Sequence, residues 1–291
     1  SYVDTATILV IQPSIIELNE EPLIERPNIE SYCYQEISKP GALLRIHAPL
    51  QFGKTELMSR VIEYALSEKY RTVVLNLRDA VTEDFQNLDN FLQWFIVSIS
   101  ETLQIEESVE EHAKTKPIWQ QLRLLILHRQ VYNQININQS PFNTGTEIKL
   151  TDFNSEQIES LANKYKLNWG KAQVNQLMAM VGGQPYLIKK AMKVISRQDM
   201  TLENLLKSAP TASGIYRTHL ERHLHYLQSN TTLLEIFQEI VLSDNPIQIN
   251  TDITLEDAVK LYDCGLVELS NNIVSPRYQL YRLYFQERLV S

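Results

Sequence analysis

Cysteine is scarce in this sequence: 291 residues contain 2, Cys33 and Cys264, far apart and without metal-ligand spacing around them. That excludes a disulfide framework and a cysteine metal knuckle, and makes two reduced core thiols of a cytoplasmic chain the expectation. Positive charge is also short, because 27 Lys and Arg face 35 Asp and Glu for a formal net charge of −8. A surface committed as a whole to nucleic acid is thereby disfavoured, although a local basic patch is compatible with the balance. Long apolar runs are missing too. The N-terminal stretch 5–11 is too short to span a bilayer and has no basic lead-in, so neither a signal peptide nor a membrane span is expected. There is no internal repeat and no low-complexity tract.

What is present is an ordinary globular composition, 44% hydrophobic and 21% charged, in a chain long enough for two compact units. Its most informative segment is Ala48-Pro49-Leu50-Gln51-Phe52-Gly53-Lys54-Thr55. An apolar run over 43–47 leads in and a helix-like run over 55–66 leads out, the strand, loop and helix context of a phosphate-binding loop. In such a loop backbone N–H groups and a helix N-terminus converge on the β- and γ-phosphates, a lysine neutralises their charge, and a hydroxyl ligates Mg²⁺. Lys54 and Thr55 have the chemistry for the last two roles. The full pattern is GxxxxGK[ST], and Ala48 stands where its first glycine would be. The loop must therefore enter with ordinary backbone angles at Ala48 or carry strain there. The plainer alternative is a Gly-Lys-Thr triplet that merely opens a helix.

Along the chain, residues 1–25 read as an extended arm containing a β-rich run over 8–11. Residues 26–153 read as an α/β core: a helix over 28–38, strands at 43–47, 72–77, 122–127 and 147–150, and an apolar helix over 88–103. Strand and helix alternate, which predicts a parallel sheet covered on both faces. The acidic run 106–111 reads as a solvated linker before a short helix near Trp119. Residues 154–212 form a helical subdomain broken at Gly182-Gly183-Gln184-Pro185, and 213–291 resemble a winged helix. There Asn271-Asn272 between short apolar runs is the hairpin signal, and Tyr278, Tyr281, Tyr284 and Phe285 have the spacing of a core seam.

With these parts in this order the chain resembles AAA-like P-loop ATPases of the STAND type, in particular the bacterial group of compact AAA-like domain proteins. The carriers are Ile24-Glu25-Arg26-Pro27-Asn28-Ile29-Glu30, residues 48–55, Asn138-Gln139-Ser140-Pro141-Phe142-Asn143, and Gly183-Gln184-Pro185-Tyr186-Leu187, which is similar to the GxP motif of STAND helical subdomains. The resemblance implies a P-loop NTPase sheet with a helical lid and a C-terminal winged helix, holding ATP or ADP with Mg²⁺. It places Arg26 beside the adenine and Pro185 against the nucleotide from the lid. Pro49, Leu50, Gln51, Phe52, Gly53, Lys54 and Thr55 would line the phosphates, with Thr55 on the metal.

One departure bears on turnover. ATPases of this class carry an acid, often a pair, at the end of a strand preceding the one near Leu122, to hold Mg²⁺ and activate water. Between Leu103 and Trp119 no apolar run ends in acids. Asp79 is the substitute on offer, though chain order assigns it to the preceding strand. Three functions follow: a nucleotide switch acting through partner proteins with weak or absent hydrolysis, a DNA-associated ATPase using its winged helix, and a non-hydrolysing scaffold. A homo-oligomer is left open. Lesser candidates are His128 as a γ-phosphate sensor or a sheet-edge cap, and His219 with His223 as an i, i+4 metal pair or as solvent-facing or packed histidines. Lys260, Arg277, Arg282 and Arg288 are few for a DNA stripe, and the wing over 268–275 has a glutamate and no cation.

Overall fold

The computed structural model describes residues 7–12, 22, 24–76, 81–103, 122–128 and 145–289. It divides into two compact units: Ser1–Glu21, Glu25–Ala48 and Gly53–Leu150 in one, and Pro22–Ile24, Pro49–Phe52 and Thr151–Ser291 in the other.

The first unit is built on parallel strands: β1 (Thr7–Gln12), β2 (Leu43–His47), β3 (Arg71–Asn76), β4 (Leu122–His128) and β5 (Thr146–Lys149), in the order β3-β1-β4-β2-β5. Helices α1 (Pro27–Ile37), α2 (Lys54–Ser67) and α3 (Leu88–Leu103) accompany them. Helix α1 starts on a proline and buries Glu30, Cys33 and Ile37 at spacings of three and four, the stripe an amphipathic helix presents to a sheet. Leu57, Met58, Val61 and Ala65 do the same for α2. Val73 and Leu75 of β3 pack with Phe91, Phe95 and Ile99 of α3 in one cluster. The Arg60 guanidinium of α2 lies 3.3 Å from Glu30 of α1.

The arm expected over residues 1–25 is corrected at its β-rich run. Residues 7–12 form β1, which pairs in parallel with β3 on one side and β4 on the other, so this strand is interior to the sheet. Ile11 lies opposite Ile126 and His47 opposite His128, which brings the carboxyl ends of β1, β4 and β2 to one edge. In a parallel sheet that edge is where loops hold ligands.

The second unit is helical: α4 (Ser155–Lys164), α5 (Lys171–Val181), α6 (Pro185–Ser196), α7 (Leu202–Ser208), α8 (Arg217–Gln228), α9 (Thr231–Leu242), α10 (Leu255–Asp263) and α11 (Gln279–Leu289). Several open on side-chain caps: Asn154, Gln184, Thr201, Asn230 and Thr254 each accept from a backbone N–H of the first turn. Such caps satisfy donors the helix itself leaves unpaired. A small antiparallel sheet, β6 (Ile247–Gln248), β8 (Ile273–Pro276) and β7 (Val267–Ser270), lies among the last helices. Asn271 and Asn272 turn the β7–β8 hairpin with φ of 50° and 62°, as a two-residue primed turn requires. One hydrophobic cluster runs from Phe153 through Leu187, Tyr216 and Phe237 to Phe285. Tyr278, Tyr281, Tyr284 and Phe285 all lie in it, so that series is a core seam. The fold is an α/β P-loop sheet with surrounding helices, followed by helices and a small sheet of winged-helix character.

Candidate functional site

Strand β2 delivers the chain to Ala48 at the carboxyl edge of the sheet, and the loop that follows ends at Gly53, the N-cap of α2. Gly53 has φ 86°, ψ 20°, a left-handed conformation that glycine reaches without steric cost. It supplies no side-chain cap to α2, and its carbonyl accepts the Leu57 N–H at 3.0 Å, the bond that starts the helix whose N-terminal end the loop leads into. The missing first glycine is accommodated plainly. Ala48 is buried at 4% exposure and is not among the positive-φ residues. The left-handed position falls instead on Gln51, with φ 65°, at a cost of about 1–2 kcal/mol for a residue with a Cβ.

Lys54 opens α2, and its Nζ donates to the Ala48 carbonyl at 2.6 Å, so the ammonium lies across the loop it would serve. Thr55 is exposed. Pro49 and Leu50 are half-buried, whereas Phe52 is 2% exposed. Arg26 is buried just before α1, and its backbone N–H donates to Glu30 Oε1 at 2.7 Å. Pro185 is the buried first residue of α6. Gly183 before it packs on the backbone of Phe153, where a Cβ would fall 2.0 Å from the carbonyl oxygen. The Phe153 N–H donates to the Gly183 carbonyl at 2.7 Å, so only glycine fits there. The Gly-x-Pro segment thus has a packing role irrespective of any ligand.

At the carboxyl edge the strands close on Gln12, His47, Asn76, His128 and Lys149, with no carboxylate among these last residues. Glu147, two residues before the end of β5, sits 3.4 Å from His47 Nδ1, a pairing that residue order did not suggest. Asp79, residues 138–143, Trp119 and the acidic run 106–111 lie outside the described residues, as does the side chain of His128.

His219 and His223 are buried, and among the described residues no group of three or more His, Cys, Asp or Glu is placed to hold a metal. The packed alternative is the one realised. His219 Nε2 lies 2.8 Å from the Tyr281 hydroxyl and Nδ1 lies 2.7 Å from Gln51 Oε1. Burial, with His223, Arg222 and Lys190 adding to it, pushes the His219 pKa down to about 2. The ring is therefore neutral. With the carboxamide oxygen as acceptor, Nδ1 carries the proton and Nε2 accepts from Tyr281, whose phenol burial keeps protonated. In the sequence Gln51 lies in the loop and His219 at a helical spacing, with nothing local that joins them.

The cations weighed for DNA have other partners. Arg277 lies over the rings of Phe52 and Tyr262 at 5.1 and 5.8 Å and pairs with Asp152 and Glu268. Arg282 donates to the carbonyls of Val241 and Ser243 at the end of α9. Lys260 lies 2.8 Å from Glu256 and 3.5 Å from Asp257. Cys33 and Cys264 are not joined in a disulfide, and burial pushes the Cys33 thiol up to about 12. No helix of the described residues is long and apolar enough to cross a membrane.

Residues 11–112 and 108–287 match the model of a family described as AAA-like domain. The two matched stretches overlap at residues 108–112, between α3 and β4. No curated protein sequence matches the chain. Among solved structures, a Walker-type ATPase of Pyrococcus abyssi is similar with a TM-score of 0.59 at 9% identity, over 93% of this chain and 99% of that one. That likeness shows the fold. A STAND protein with a tetratricopeptide repeat sensor from Pyrococcus horikoshii gives 0.36 at 16% identity, over 96% of this chain and 45% of that one. The Orc1 protein of Aeropyrum pernix, solved in complex with DNA, gives 0.40 at 11%, over 93% and 94%.

Proposed function

The chain belongs to the AAA-like domain family, and from that premise we propose that it binds ATP or ADP with Mg²⁺ at residues 48–55 and acts as a nucleotide-responsive module of the STAND type, through partner proteins. The observation that carries this reading is the join of β2 to α2: a left-handed Gly53 with no side-chain cap on the helix it opens, and Lys54 folded over the loop mouth. A helix N-terminus so disposed favours a phosphate by its amides and its dipole. In this reading Lys54 contacts the β- and γ-phosphates and the amides of 51–55 their oxygens. Arg26 lies on the adenine side and Pro185 faces the nucleotide from the lid. Mg²⁺, when bound, would neutralise phosphate charge, with the exposed Thr55 hydroxyl as its protein ligand.

Turnover is expected to be very slow or absent, because no described strand end at the loop's edge carries a carboxylate to orient water. A phosphate-release assay on wild type and Thr55→Ala checks this, with both expected at background. Brisk release abolished by Thr55→Ala would mean that an acid outside the described strand ends serves the site, and the scaffold reading would fall.

A DNA-associated ATPase is the second reading. It keeps the same nucleotide site and gives the helical unit a different partner. The observation in its favour is α6, which carries Lys189, Lys190 and Lys193 and no acid. The cations near the wing do not favour it, since Lys260, Arg277 and Arg282 are engaged within their own unit. Random duplex DNA is expected to bind weakly, with an affinity unchanged by Lys260→Ala. Tight binding that falls steeply with salt and is lost on replacing Lys189 and Lys193 would make DNA the partner.

A further inference from the structure

The tip of the phosphate-binding loop is held from outside the loop. Residues Pro49–Phe52 cluster with the second unit, and three contacts among the described residues contribute to this. Gly265 comes so close to Pro49 that a Cβ on it would lie 2.9 Å from the proline Cβ. The Arg277 guanidinium covers Phe52. His219 bonds Gln51. Only the third is a hydrogen bond to a side chain on a left-handed backbone, the position of the tip that most needs support. His219 is itself fixed on all sides: stacked with Tyr186 and Tyr281 at centroid distances of 5.7 and 5.8 Å, edge-on to His223 at 4.7 Å, and bonded to the Tyr281 hydroxyl.

We propose that His219 is a positioning residue for the nucleotide site: through Gln51 it sets the loop tip, and through Tyr281 it ties occupancy of the loop to α8 and α11 of the winged-helix-like part. The inference rests on the nucleotide-binding reading above. A neutral imidazole suits this role because each nitrogen has one partner of opposite sense, Nδ1–H toward the carboxamide oxygen and Nε2 toward the phenol. A nucleotide that reorders residues 51–55 must keep or break the Gln51 bond. Either way the change reaches a buried ring whose other nitrogen holds α11, and a ligand that distinguishes two packings shifts their populations.

Calorimetry with ADP and Mg²⁺, together with amide hydrogen exchange on the full chain, tests the assignment. Gln51→Gly removes the side-chain bond while making the left-handed backbone free. Affinity is expected to fall about five- to tenfold, the worth of one hydrogen bond. ADP should alter exchange across 217–228 and 279–289 in wild type and leave it unaltered in Gln51→Gly. His219→Ala should match Gln51→Gly, and His219→Asn, which restores a donor near the Nδ1 position, should recover most of the affinity. If Gln51→Gly binds as wild type does and transmits the same exchange change, or if wild type binds ADP with no change in those helices, the positioning role is overturned and the phosphate-loop assignment stands. If wild type binds no nucleotide at all, both fall.

Discussion

Replacing Lys54 with alanine is expected to weaken ATP or ADP binding by about 1.5–3 kcal/mol, roughly 10- to 150-fold, because a charge-assisted bond to a desolvated phosphate is lost. The side chain starts from the second residue of the Gly-Lys-Thr triplet and reaches back to the Ala48 carbonyl at 2.6 Å. Its charge therefore lies across the mouth formed by the end of β2 and the first turn of α2. Lys54→Arg preserves the charge and not the shape, since a planar guanidinium replaces a compact point charge, and an intermediate loss is expected. Calorimetry on wild type, Lys54→Arg and Lys54→Ala measures all three. Equal affinities would remove the phosphate-binding assignment, because no alternative cation sits at that point of the loop in the sequence.

Elements whose signal is local were legible in the sequence. β2 announces itself by five residues with buried alternation at Leu44 and Ile46, α3 by its apolar stripe, and the β7–β8 hairpin by two adjacent asparagines whose side chains tolerate positive φ. β1 was legible as a strand and misplaced as an arm. Its neighbours β3 and β4 lie some 60 and 115 residues further along, as the pairings Thr7 with Arg71 and Thr7 with Leu122 show, and nothing within an apolar hexapeptide says which strands it will join. The same limit governs the site. Lys54, Thr55 and Gly53 could be read because the loop chemistry is contiguous. The Gln51 to His219 bond spans 168 residues, and a histidine at helical spacing reads equally well as ligand, surface or core until its neighbours are known. Arg277 is a parallel case: in sequence it flanks the wing as a candidate phosphate contact, and in the fold an aromatic face and two carboxylates hold it.

Acid is expected to loosen the helical unit through His219. Its folded pKa of about 2 lies far below the ordinary 6.5, so below pH 6.5 the unfolded chain binds a proton that the folded one refuses. The stabilising contribution is therefore fully present above pH 6.5 and is lost progressively as pH falls toward the folded value, the direction in which the unfolded state holds more protons. By pH 5 the loss from this one group amounts to about 2 kcal/mol, at about 1.4 kcal/mol for each pH unit below the unfolded pKa. The cause is burial first and like charge second, because His223, Arg222 and Lys190 all oppose a further proton there. Urea unfolding at pH 7.5 and pH 5.0, followed for wild type and His219→Asn, isolates the contribution. Asparagine does not titrate, so the variant should lose about 2 kcal/mol less than wild type over the same interval, whatever its starting stability. Equal losses in the two proteins would mean that the ring takes up its proton without breaking from Gln51 and Tyr281, contrary to the neutral, doubly bonded imidazole on which the coupling of loop to helix depends.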